Sequence, residues 1–194
     1  PVADVNNNPL NPVIGVRSFG EKPELVSEMV VAYQRGLQEN GVMATAKHFP
    51  GHGSSKDDTH NGIADVTDTW NERELKPYQQ LIDSGYADAV MTSHIVNRNL
   101  DKNGNPGTLS ADILTGILRN RMKYDGVVFT DDMQMHAITK YYGLEDAIKL
   151  AVNAGVDIMT FSNNIQGSEE RTVDKVHAII RKMVQTGEIK KERI

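Results

Sequence analysis

The chain has no cysteine, which excludes a disulfide framework and any thiolate-held metal. It has no run of about 18 apolar residues, so no segment reads as a membrane-spanning helix. No charged stretch followed by an apolar one marks a secretory leader, and the compartment stays open. Nor is there a surplus of positive charge: 21 lysines and arginines stand against 26 aspartates and glutamates, for a formal net charge of -5. A chain so balanced lacks the basic field that holds a phosphate backbone, which argues against a nucleic-acid partner and suits a neutral small-molecule substrate. No linker, internal repeat or low-complexity tract divides it. What remains is 194 residues, 39% of them hydrophobic, enough for one domain with a sizeable core. The opening Pro1-Val2-Ala3-Asp4-Val5 reads as a strand entered without a preceding cap or loop.

Helix signals alternate with short apolar runs from end to end, the pattern of βα units around a parallel sheet. Strands are expected at Val2–Val5, Val42–Lys47, Ala87–Ser93, Gly126–Thr130 and Val156–Phe161. A helix is expected over Pro23–Asn40, where Leu25, Met29, Tyr33 and Leu37 recur every four residues, Pro23 suits the first turn and Gly41 the stop. Another is expected over Asn71–Ser84. The next, capped by Ser110, has Ile113, Leu114, Ile117 and Leu118 on one face, and two more cover Leu144–Asn153 and Glu169–Thr186. About five βα units result. Polar residues gather where strands end, as at the C-terminal face of a (β/α)8 barrel. A doubly wound open sheet gives the same alternation, and periodicity alone leaves both open.

The densest chemistry is Lys47-His48-Phe49-Pro50-Gly51-His52-Gly53, followed by Asp57-Asp58-Thr59-His60. Pro50, Gly51 and Gly53 exclude a regular helix there and let the backbone come close to a ligand. A solvated polar loop is the plain alternative. A metal site is another, since His48, His52, Asp58 and His60 all carry ligand atoms, although zinc needs three or four of them to converge. Asp58 stands two positions before His60, a spacing at which a carboxylate reaches the ring across a turn, fixes its tautomer and stabilises the imidazolium. Such a pair can give and recover a proton. Asp131 follows the apolar run Val127-Val128-Phe129, which would push its carboxylate into a barrel mouth. Of the two adjacent acids, the chemistry is assigned to Asp131 and the capping of the next helix to Asp132. His94, after Met91-Thr92-Ser93, is a weaker site candidate or a hydrogen-bonded wall. His136 and His177 read as structural or exposed, and Met133 and Met135 as core or pocket lining.

Four strings then resemble one family in the right order: Asn11-Pro12-Val13-Ile14-Gly15-Val16-Arg17-Ser18-Phe19-Gly20, the Lys-His-Phe-Pro-Gly-His-Gly string at 47–53, Asp58-Thr59-His60, and Phe129-Thr130-Asp131-Asp132-Met133. The chain is similar to the family three glycoside hydrolases, and its Asp-Thr-His string to their β-N-acetylglucosaminidase branch. The resemblance implies a TIM (β/α)8 barrel, here an incomplete one, with residues 1–194 as part of a single catalytic domain. It implies Asp131 as the nucleophile that forms a covalent glycosyl-enzyme, and His60 as an unusual acid/base oriented by Asp58, where most retaining glycosidases use two carboxylates. Arg17, Lys47 and His48 resemble the residues that grip the sugar hydroxyls. The expected partner is a carbohydrate containing N-acetylglucosamine, with neither metal nor organic cofactor.

Members of the family begin with further strands, one of them carrying an acidic sugar-holding segment that nothing here matches. Further segments of the same polypeptide are therefore expected to complete the sheet, whose edge would otherwise stay unpaired. The rival readings are a β-glucosidase, β-xylosidase or glycoside phosphorylase of the same family, and a barrel that binds carbohydrate without catalysis.

Overall fold

A computed structural model describes residues 1–162 and 172–194. The strands are β1 (Thr45–Phe49), β2 (Ala64–Asp65), β3 (Ala89–Thr92), β4 (Ile95–Val96), β5 (Val127–Asp132) and β6 (Ile158–Thr160). β1, β3, β5 and β6 make a four-stranded sheet in that order, every pair parallel. On the outer side of β1, Val2 forms an isolated parallel bridge to Lys47. Strand order thus follows chain order without reversal. A doubly wound sheet reverses at a switch point, so the winding is that of a barrel wall. Among the described residues the sheet stays open.

The Val2–Val5 strand shrinks to that single bridge because the chain leaves the sheet at Asp4, whose carboxylate is claimed by the loop after β1. The second strand begins at Thr45 rather than Val42: Val42 and Met43 are exposed, and Val42 N–H bonds Leu37 O at the helix exit. β5 runs past Thr130 to Asp132, because its pairing with β6 continues to Asp132 opposite Thr160. β6 is shorter than expected, since Val156 N–H still bonds Ala151 O as the preceding helix ends.

The helices are α1 (Pro23–Gln38), α2 (Lys76–Asp83), a π-type helix (Asp112–Arg121), the short α3 (His136–Thr139), α4 (Leu144–Ala154) and α5 (Thr172–Thr186). The α1 stripe of Leu25, Met29 and Tyr33 faces outward; Pro23, Val26, Ser27, Val30 and Gln34 are the buried face. The helix carries two stripes one residue apart. The polar Ser27 and Gln34 disguised the inner one, and Ser27 satisfies its hydroxyl on Pro23 O at 2.6 Å. The Ser110 cap is present, its Oγ accepting Ile113 N–H at 3.2 Å. Met122 N–H reaches back five residues to Ile117 O, the wide spacing of a π-type exit that no sequence period signals. α4 ends at Gly155, whose φ of 117 favours glycine. Of the expected helix Glu169–Thr186, residues 169–171 lie outside the described residues.

Phe49 meets Tyr78 edge-on at 5.2 Å under the sheet, with Leu81, Ile113, Leu114 and Leu118 fully buried around them. Each such side chain contributes roughly 2 kcal/mol by leaving water. β2 and β4, which follow the C-terminal ends of β1 and β3, pair with one another beyond the main sheet and pack Ala64, Val66 and Ile95 against Trp70. That lesser sheet fixes where the loops above β1 and β3 can go.

Candidate active site

β1 delivers His48 and then the loop of 50–62 to the C-terminal end of the sheet. A buried carboxylate from the N-terminal segment organises it. Asp4 Oδ1 accepts the backbone N–H groups of His48 (3.2 Å) and His52 (2.8 Å), and Asp4 Oδ2 accepts a hydrogen bond from His48 Nδ1 at 2.7 Å. Burial alone would raise the Asp4 pKa; the adjoining His48 outweighs it and holds the carboxyl below its ordinary range. Asn11, also buried, donates to His52 O (2.8 Å) and Gly53 O (3.1 Å), and its Oδ1 accepts Val13 N–H and Ile14 N–H. The loop bearing Arg17 is thereby tied to the His-rich loop. Gly53 is required where it stands: a Cβ there would lie 1.8 Å from Val5 O.

Beneath the loop, Glu74 is fully buried, with Oε2 accepting Gly53 N–H at 3.1 Å. Burial pushes its carboxyl up to about 8, so at neutrality the group is protonated. His52 is buried as well, its Nε2 3.3 Å from Thr59 Oγ1, and burial lowers its pKa against the pull of Asp4.

Asp58 and His60 are joined as their spacing suggests. Asp58 Oδ1 accepts both His60 N–H (2.8 Å) and the His60 Nδ1 proton (2.6 Å). Burial would raise the Asp58 pKa, but these hydrogen bonds from His60 prevail and lower it. The imidazole is 64% exposed, and its Nε2 has no hydrogen-bond partner among the described residues. Between the two, Thr59 O accepts Ala137 N–H at 3.2 Å, and Lys140 Nζ donates to Asn61 O at 3.0 Å. Two bonds from the α3 region therefore pin the dyad's turn beside the segment that leaves β5.

Asp131 occupies the end of β5, half-buried, its Oδ1 accepting Asp132 N–H at 2.8 Å. Its negative charge acts on the buried rings of both His52 and His94. Asp132 does not cap a helix. Met135 is the N-cap of α3, while Asp132 Oδ1 accepts Gln134 N–H (3.0 Å) and Ser162 N–H (3.1 Å), joining the ends of β5 and β6. His94 is a buried wall with both ring nitrogens hydrogen-bonded. His136 and His177 are exposed, and Met133 and Met135 are core.

Of Arg17, Lys47 and His48, only His48 is locked in place. The Lys47 ammonium has no hydrogen-bond partner among the described residues. Arg17, exposed, turns its guanidinium back onto Val13 O at 3.0 and 2.7 Å. Among the described residues no three His, Asp or Glu side chains converge as a metal site. Sequence reasoning missed Asp4, Asn11 and Glu74 as organisers of the loop. The signal for Asp4 was an acid inside an otherwise apolar run.

Fold and site together define an α/β protein of barrel-type winding, with its chemistry gathered on loops at the C-terminal ends of parallel strands. All of residues 1–194 match the glycosyl hydrolase family 3 N-terminal domain, and the chain belongs to that family. Its fold is therefore TIM-barrel-like. β-Hexosaminidase A of Pseudoalteromonas piscicida is 33% identical over 208 residues, a match covering 100% of this chain and 35% of that protein. A glycoside hydrolase family 3 β-N-acetylglucosaminidase from Paenibacillus sp. str. FPU-7 superposes with a TM-score of 0.90 at 40% identity, over 100% of this chain and 36% of the other. β-Glucoside phosphorylase BglX superposes with a TM-score of 0.86 at 31% identity, over 100% and 35%. The chain thus spans about a third of the length of each.

Proposed function

We propose that this chain carries the catalytic groups of a retaining β-N-acetylglucosaminidase, acting on glycoconjugates that end in β-linked N-acetylglucosamine, such as peptidoglycan fragments or chitooligosaccharides. The observation that carries the reading is the Asp58–His60 pair, whose 2.6 Å contact leaves the distal ring nitrogen open to solvent on a turn pinned to the α3 region. In this reading Asp131 attacks the anomeric carbon while the protonated His60 gives its Nε2 proton to the departing oxygen. His60, now neutral, takes a proton from water, and the resulting hydroxide displaces Asp131 from the sugar. Asp58 stays ionised throughout, balancing the imidazolium and fixing the ring. Arg17, Lys47 and His48 hold the sugar hydroxyls and so orient the ring for attack by Asp131.

The likeness to a phosphorylase favours a second reading, in which phosphate replaces water in the second step. A neutral base does not repel that anion as a carboxylate would. Rates on an aryl β-N-acetylglucosaminide and an aryl β-glucoside, each with and without phosphate, decide. Preference for the N-acetylated substrate without phosphate dependence supports the first reading, and phosphate dependence supports the second. Binding without turnover would overturn both.

A further inference from the structure

Behind Asp131 runs a chain of hydrogen bonds that starts on its own N–H and returns to the carbonyl of its neighbour. Asp131 N–H points to Thr92 Oγ1 at 3.4 Å, Thr92 Oγ1 lies 2.6 Å from Thr108 Oγ1, Thr108 Oγ1 lies 2.7 Å from His94 Nδ1, and His94 Nε2 lies 2.9 Å from Asp132 O. The proton positions follow from chemistry. A carbonyl only accepts, so His94 Nε2 carries a hydrogen. Burial holds the His94 ring below the ordinary imidazole range, against the opposing charge of Asp131, so the ring is neutral and Nδ1 is an acceptor. Thr108 therefore donates to Nδ1, Thr92 donates to Thr108, and Thr92 accepts from Asp131. Ser93 O also lies 3.0 Å from Thr108 Oγ1. One hydroxyl has one proton, however, and Ser93 O already accepts Thr108 N–H at 3.0 Å. Thr92, His94 and Thr108 are all 0% exposed, so water does not compete for any link.

We propose that His94, acting through Thr108 and Thr92, is a positioning residue that clamps the backbone on both sides of the Asp131 side chain and so sets where its carboxylate stands. This rests on the reading of Asp131 as nucleophile. His94 is no acid/base in its own right, since both its nitrogens are spent and no solvent reaches them. The clamp suits a nucleophile on the last turn of a strand, where sheet pairing has nearly run out and a displacement of about 1 Å costs on the order of a hundredfold in rate.

The test is single-turnover release of the aryl alcohol from an activated aryl β-N-acetylglucosaminide by the full chain, at temperatures where each variant is folded by circular dichroism. His94→Leu removes both bonds and should slow release about a hundredfold with KM within about twofold. His94→Gln, which keeps a donor and an acceptor, should recover at least tenfold of that. Thr108→Val keeps the shape and cuts the chain, and should cost about tenfold alone but nothing further in the His94→Leu background, because both act through one path. Equal rates for His94→Leu and the wild type would overturn the proposal, as would His94→Gln no better than His94→Leu, or costs that simply multiply. Should His94→Leu not fold, His94→Gln and Thr108→Val, alone and combined, carry the same decision. Asp131→Ala checks the underlying reading: if it still releases the alcohol at the wild-type rate, Asp131 is not the nucleophile and the clamp falls with it.

Discussion

Asp4 and His48, 44 residues apart in the chain, meet at 2.7 Å with both side chains almost wholly out of water. The pair joins the N-terminal segment to β1 and fixes the ring of His48: Nδ1 donates to the carboxylate, and Nε2 has no hydrogen-bond partner among the described residues. A single acid buried in an apolar run thus orients a side chain proposed to hold the sugar.

Removing one member of a buried pair costs about 3–5 kcal/mol, and Asp4→Ala should destabilise by that much at neutral pH. The folded-state pKa of Asp4 lies below its ordinary value, so its stabilisation is present above about pH 4 and is lost as pH falls further. Urea titrations from pH 7 down to 3 should show the gap between wild type and Asp4→Ala constant at first and narrowing below pH 4. A gap that widens in acid would contradict the assignment.

Glu74 has the opposite sign. Its folded-state carboxyl is raised to about 8, so between its ordinary value near 4.5 and 8 the unfolded chain ionises while the folded chain does not. The contribution of this group to stability falls with pH across that window. Glu74→Gln, neutral at every pH, should remove most of the slope and be more stable than wild type at pH 8 by about 2 kcal/mol or more. Melting curves at pH 5 and pH 8 measure it, and an unchanged slope would show that the buried acid is ionised after all.

The lowered pKa of Asp58 keeps its carboxylate charged through the neutral range, as the proposed role beside His60 requires. Asp58→Asn should lower kcat/KM tenfold or more, because the His60 ring loses the carboxylate that holds its Nδ1 at 2.6 Å and orients it. A kcat/KM within about twofold of the wild type would mean that Asp58 only holds the turn.

Two glycines make a paired prediction. Gly53→Ala puts a Cβ 1.8 Å from Val5 O, backbone against backbone, and should cost about 3 kcal/mol or more. Gly36 lies inside α1 with nothing within 4 Å of a built Cβ, and Gly36→Ala should stabilise by about 0.5–1 kcal/mol. Thermal midpoints read both, and shifts of the same sign would contradict the packing described here.

The alternation of short apolar runs with amphipathic stretches was enough to read a parallel α/β fold, since each βα unit prints its own local signal. Strand order was not legible, because Val2 against Lys47 and Phe129 against Ile158 are long-range pairings with no local signature. The Asp58–His60 contact was legible because it is closed within one turn. Asp4, Asn11 and Glu74 were not: each acts on the loop of 47–55 from a distant segment, and a buried polar residue gives no periodic signal of its own. The buried face of α1 was not legible for the same reason, its inner stripe carrying Gln34 among apolar residues. The exposed Leu25, Met29 and Tyr33 were the more regular pattern and the less informative one.

The proposed chemistry depends above all on Asp131. The full chain should be incubated with a 5-fluoro N-acetylglucosaminyl fluoride, which forms the glycosyl-enzyme quickly and releases it slowly, then digested and the labelled peptide sequenced by mass spectrometry. The prediction is one sugar per chain, attached to Asp131 in the peptide that contains Phe129-Thr130-Asp131-Asp132-Met133. Label on Asp132, Asp58 or any other carboxylate would contradict it, as would a folded chain that turns over substrate yet takes no label.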